Sequence, residues 1–266
     1  MGGKTSLRKA WEVLFPYLLY YLAYNAAYLI LAFAYQATVN RFGGAYGQFM
    51  TAHAATVTGV MGGVCMLVGI LPLVPMLKEE LRARGETFCF AGTKAAAHTV
   101  LLAFSVSLAL NALLTLTGFV DNSQTYREVS DRQYGVAFAA GLILYGLISP
   151  LAEEIVFRGV IYNRLRRLYH PTIGIIVSGV FFGAFHGNLV QGVYGACLGM
   201  LMAYLYERSG NFCIPILFHA VANLTVYLTA RFAEVQEILF TPAGCAVLLA
   251  VSAGCILAER RFGKAE

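Results

Sequence analysis

Charge is scarce in this sequence. Asp, Glu, Lys and Arg make up 12% of its 266 residues, about half the 25% typical of a soluble domain. That shortfall excludes an ordinary soluble enzyme. The six cysteines show no CxxC spacing, which argues against a zinc ribbon or a redox pair and leaves them as small buried hydrophobes. Internal repeats are missing, so nothing suggests the inverted halves of a transporter. No small-residue cleavage site closes the first apolar run behind Lys4, Arg8 and Lys9, so that run reads as a retained first span rather than a signal peptide. The sequence ends Gly-Lys-Ala-Glu without a cysteine, giving no expectation of prenylation there.

What is present is apolar. Hydrophobic residues reach 59% and the mean hydropathy is +0.67, the composition of an all-α, polytopic membrane protein. Windows of about 20 residues give about eight spans: Phe15–Val39, Ala55–Leu77, Ala95–Gly118, Gly135–Phe157, Thr172–Gly187, Leu189–Tyr206, Phe212–Ala230 and Ile238–Ala258. The fifth and sixth are short and joined by Gly187-Asn188, as a tight hairpin or as a span with a re-entrant piece. The spacings Gly179-x3-Gly183-x3-Gly187 and Gly195-x3-Gly199 predict that these two helices approach closely. Lys78–Phe90 reads as a charged inner loop and Asp121–Gln133 as a polar outer one.

With eight spans and the N-terminus inside, only Arg41, Arg127, Arg132 and Arg231 of the 19 Lys and Arg residues fall outside. That bias predicts both termini in the cytoplasm of a bacterial membrane. The net charge of +5 is dispersed over short loops, so no nucleic-acid partner is expected.

Three polar clusters interrupt the apolar runs. An ionisable group inside a span costs about 2.5–3.5 kcal/mol on insertion scales and marks a functional site by default. In Glu153-Glu154-x3-Arg158, a helix sets Glu154 and Arg158 on one face at i and i+4. Glu153 then points about 100° away, toward a cavity. A structural alternative has Arg158 snorkelling to the interface. Phe182 and His186 share a second face, and His219 and Asn223 a third. His53, His98 and His170 lie at ends or in loops and look incidental. A carboxylate general base, a neutral imidazole and an NH donor pair are the ingredients for activating water and stabilising an oxyanion. Two His and one carboxylate would equally suit zinc.

These motifs, in this order on successive membrane helices, resemble the CAAX-protease and bacteriocin-processing family (CPBP, also called Abi), which includes the type II CAAX prenyl endopeptidases. The resemblance covers about Gly135 to Ala230. It implies a core at 135–230, preceded by generic N-terminal helices at 1–134 and followed by a last span and basic tail at 231–266. It further implies an intramembrane endopeptidase acting on membrane-associated proteins or peptides. Glu153 and His186 would position the attacking water, His219 and Asn223 would bind the oxyanion, and Glu154 and Arg158 would support them. Zn2+, if used, would sit on Glu153, His186 and His219. Phe181, Phe182 and Phe185 are expected to line an apolar substrate chamber. Cleavage is expected in the cytoplasmic half of the membrane, because Glu153 falls near that end of its span. The competing classes are a non-catalytic self-immunity or sensor-scaffold protein of the same fold and a proton-coupled transporter.

Overall fold

The computed structural model describes residues 5–86 and 92–262, with side chains up to 258. Lys4, Cys89, Phe90 and Lys264, and the side chains of Arg260 and Arg261, lie outside that description. Every regular element among the described residues is helical.

In chain order these are α1 (Ser6–Phe42), α2 (Gly44–Ala52), α3 (Ala54–Ala83), α4 (Thr93–Leu116), α5 (Gln124–Tyr134), α6 (Phe138–Leu168), α7 (Pro171–Phe185), α8 (Leu189–Ser209), α9 (Cys213–Thr229), α10 (Ala233–Leu239) and α11 (Pro242–Phe262). Five of them, α1, α3, α4, α6 and α8, are long and apolar enough to cross a membrane, and the bent pair α9–α10 makes a sixth. Each of the eight expected runs has a helix at its place, but the count by length stops at six. Helix α7 has 15 residues, about 22 Å, because it is held between Pro171, whose ring suits a first turn, and the turn at Gly187. In α11 the apolar stretch is likewise short, Pro242–Ala258.

Two boundaries differ from expectation in ways that matter. The fourth run does not end at Phe157: α6 continues to Leu168. Its extra turns carry arginines that find acidic partners on neighbouring helices. Arg164 and Arg167 pair with Glu80 at 3.1 and 2.9 Å, and Arg166 pairs with Glu207 at 2.7 Å. Part of the inner loop is helix, since α3 runs to Ala83. Beyond it, burial alone would lower the Arg84 guanidinium, but bonds to Glu86 and Glu207 outweigh burial and hold it above its ordinary value. The outer loop also folds, as the amphipathic α5, whose first turn is capped by Ser123 Oγ accepting from Tyr126 N at 3.2 Å.

The predicted hairpin of α7 and α8 is present. Gly187 turns it with φ +71°, a conformation that costs other L-residues energy. A Cβ at Gly183 would stand 2.2 Å from the Gly192 carbonyl oxygen, so only glycine permits this approach. Of the cysteines, Cys65, Cys245 and Cys255 are buried as expected, whereas Cys197 is exposed.

Candidate active site

Helix α6 is not a uniform α-helix. Leu144–Ile148 and Ile155–Tyr162 are π-helical, and Ser149–Glu154 between them keeps α geometry. Such wide turns accompany functional sites. Glu153 is 15 residues from each end of the 31-residue helix, hence about 22 Å from either end. The reason for expecting a site near one end of its helix therefore fails: Glu153 stands at the middle of α6. His219 lies six residues into α9, about 9 Å from its start.

The two acids have different surroundings, as the helical wheel predicted. Glu154 is fully buried, and its Oε1 accepts from Arg158 Nη1 at 2.9 Å and from His219 Nδ1 at 2.8 Å. Arg158 is also fully buried, so it does not snorkel. Its Nη2 donates to the Gly199 carbonyl at 2.9 Å, and its guanidinium stacks 4.5 Å from the Phe182 ring centroid. Burial of an ion pair costs desolvation that only close geometry and extra hydrogen bonds offset. The close contact and the bonds to His219 and Gly199 supply part of that offset, while Glu154 Oε2 and Arg158 Nε find no hydrogen-bond partner among the described residues.

Glu153 instead faces a cavity of about 360 Å³. Its Oε1 accepts from Ser149 Oγ at 2.6 Å, while its buried Oε2 has no hydrogen-bond partner among the described residues. His219 Nε2 stands 3.8 Å from that oxygen. His186, Asn223, Gln191 and Tyr145 line the same cavity.

Hydrogen bonds fix the roles of the rings. His186 Nδ1 lies 2.9 Å from the Phe182 carbonyl oxygen. A carbonyl only accepts, so Nδ1 carries a hydrogen, and in the neutral ring Nε2 keeps its lone pair. The Phe182 carbonyl is open to the ring because His186 N bonds to Gly183 O, one residue short of the α pattern. Asn223 Nδ2 donates to the Tyr145 carbonyl at 3.3 Å, which leaves its second N–H available. Gln191 Oε1 accepts from Asn188 Nδ2 at 2.5 Å, so its own NH2 group is free.

The structure thus brings Glu153, His186, His219 and Asn223 to one cavity, with Glu154 and Arg158 immediately behind. Phe181, Phe182 and Phe185 are not among its lining residues. Phe182 packs edge-on against His186 and His219, at 5.0 and 5.4 Å, and Phe181 and Phe185 pack on Tyr17 of α1 and on Phe157. They form an aromatic wall that holds the rings. Among the described residues, no three His, Cys, Asp or Glu side chains stand together as a metal-holding group.

Sequence reasoning missed Ser149, Tyr145 and Gln191. Ser149 stands four residues before Glu153, a spacing that places it on the same helical face, and this was a readable signal. Tyr145 acts through a backbone carbonyl, which leaves no trace in sequence. A second cavity of about 80 Å³ shares His186, Gln191 and Asn223 and is lined by Tyr126 and Tyr134 of α5. Burial, then the neighbouring Tyr126, push the Tyr134 phenol above its ordinary value.

Residues 135–225 match the family described as type II CAAX prenyl endopeptidase Rce1-like. Over 178 residues, 66% of this chain and 72% of the relative, the sequence is 25% identical to the Bacillus subtilis (strain 168) protein named "Putative membrane peptidase YdiL". No solved structure matches the chain.

Proposed function

We propose, from the premise that this chain belongs to the CAAX-protease family of intramembrane proteases, that Glu153 is the general base of peptide-bond hydrolysis in a bacterial cytoplasmic membrane. The observation that carries the proposal is the bare Oε2 of Glu153, a buried carboxylate oxygen aimed into a cavity beside an imidazole. A buried acceptor without a donor costs about 1–3 kcal/mol, and a water between Glu153 and His186 would satisfy it. His186 Nε2, left with its lone pair, accepts the second hydrogen of that water and aims its oxygen. Ser149 steadies Glu153 through Oε1.

Water attack on the scissile carbonyl sends a proton to Glu153 and negative charge to the carbonyl oxygen. Asn223 donates its free N–H to that oxyanion, and Gln191 stands close by as another NH2 donor. His219 contributes from Nε2 only when both ring nitrogens carry hydrogen. That state brings the summed charge of Glu153, Glu154, Arg158 and His219 to zero, the arrangement least penalised in a low-dielectric site. Collapse of the intermediate breaks the C–N bond, and Glu153 returns its proton to the leaving amine. No step is routed through a metal.

The test compares protein N-termini in membranes of the native host carrying wild type or Glu153→Gln. Termini present only with the wild type support the proposal and name substrates. Identical termini, with the variant folded and at normal abundance, overturn it in favour of a non-catalytic immunity or scaffold role.

A further inference from the structure

Two sets of contacts mark the two ends of the bundle. At one end, Arg164 Nη1 donates to the Glu12 carbonyl at 2.7 Å, Arg167 pairs with Glu80 at 2.9 Å, and Arg84 and Arg166 both pair with Glu207, at 3.1 and 2.7 Å. These bonds tie the start of α1 to the ends of α3, α6 and α8. At the other end, Arg231 Nη2 donates to the Val136 carbonyl at 3.3 Å, and Ala137 N donates to Thr56 Oγ1 at 2.8 Å. These tie the end of α9 to the starts of α6 and α3.

The cavity belongs to the second end. Away from Glu153 it is lined by Ala55, Thr58 and Gly59 at the start of α3, by Val136 just before α6, and by Val129 and Arg132 of α5. Helix α5 therefore lies across the mouth as a roof. Toward the first end the way is closed by Glu154 and Arg158, both fully buried, and by Phe157 and Phe182, at 1% and 2% exposure.

Charge distinguishes the same two ends. The second carries Arg41, Arg127, Arg132 and Arg231, while the other Lys and Arg residues whose side chains are described belong by chain order to the first, apart from Arg158 inside the bundle. The residue-rich cationic end of a membrane protein stays in the cytoplasm. We infer that the cavity is entered from the extracytoplasmic face, beneath α5, and that its substrates are segments of membrane or exported polypeptides presented from outside the cell. The word substrate rests on the protease reading above; the side of access does not.

The test is accessibility of two exposed positions, one at each end. Arg132→Cys and Arg82→Cys are placed singly in the full chain with its six native cysteines replaced by alanine, and intact cells are treated with a membrane-impermeant maleimide. Labelling of Arg132→Cys in intact cells, with Arg82→Cys labelled only after permeabilisation, is the expected result. The reverse pattern overturns the inference. If the cysteine-free chain does not accumulate, alkaline phosphatase fused after Asn122 or after Glu86 of the native sequence gives a second reading. Activity is expected only in the fusion at Asn122, and activity only at Glu86 overturns the inference. Neither readout needs proteolysis: Glu153→Gln should label as the wild type does, so failure of the protease reading would leave this result standing.

Discussion

Arg158→Met should destabilise the protein more than the double change Glu154→Gln, Arg158→Met. Glu154 and Arg158 are both without solvent exposure and joined at 2.9 Å. Methionine fills much of the arginine stem but leaves Glu154 with His219 as its remaining hydrogen-bond partner. Removing one member of a buried pair costs about 3–5 kcal/mol, because the other charge stays buried without compensation. The Gly199 carbonyl, which accepts from Arg158 Nη2, loses its partner as well. Glutamine at 154 removes the stranded charge while its Oε1 still accepts from His219, so the double variant should recover about half of the loss. The assay is reversible unfolding in mixed micelles by SDS titration, with all four members of the cycle measured. If Arg158→Met cost under about 1 kcal/mol, or if the single costs simply added, the pair would be acting as a surface ion pair does. The account of its burial would then be wrong.

Other outcomes follow from the same geometry. Asn223→Ala should lower kcat by about 10²–10³ with little change in KM, as loss of an oxyanion donor does; an unchanged kcat with raised KM would place Asn223 in binding instead. Ser149→Ala removes a hydrogen bond that orients the Glu153 carboxylate and should lower kcat at least tenfold, with a stability loss of about 1.5–3 kcal/mol. Gly183→Ala places a methyl group 2.2 Å from the Gly192 carbonyl oxygen and 2.8 Å from Ala196 N, backbone atoms that cannot step aside. Its unfolding midpoint should fall well below that of Gly187→Ala, where the added Cβ meets nothing within 4 Å and the cost is the strained φ alone, about 1–2 kcal/mol. Finally, the N-termini that depend on Glu153 should map to segments outside the cytoplasm. A set mapped to cytoplasmic segments would contradict entry beneath α5.

The polar clusters were legible because a charge in an apolar run has few explanations, and because the difference between Glu153 and Glu154 follows from 100° of helical rotation. Depth was not legible. Arg164, Arg166 and Arg167 look like a loop to any reading based on hydropathy, yet Glu80 and Glu207 neutralise them and let α6 continue for another 11 residues past Phe157. The same blindness turned α5 into a loop, since an 11-residue amphipathic helix carries no run of apolar residues. Apolar character does not say whether Phe181, Phe182 and Phe185 face the cavity or a neighbouring helix. Which face of α7 meets α1 depends on Tyr17, far away in sequence.

The narrowness of the cavity dictates the shape of what can be cut. From the start of α6 to Glu153 is about 22 Å, and an α-helix with side chains is about 10–12 Å across. A helical rod reaching that depth would have to part α5 from the starts of α3 and α6, whose Val129, Arg132, Ala55, Thr58, Gly59 and Val136 line the cavity. An extended strand advances about 3.3 Å per residue, so it covers the distance in roughly seven residues. On the protease reading, a bond inside an intact helix is therefore poorly placed for attack. Under the proposed function, cleavage awaits a stretch of about seven residues, by the same spacing, that is already unwound, so chain ends, loops and helix-breaking Gly or Pro sites mark where the proposed hydrolysis would occur.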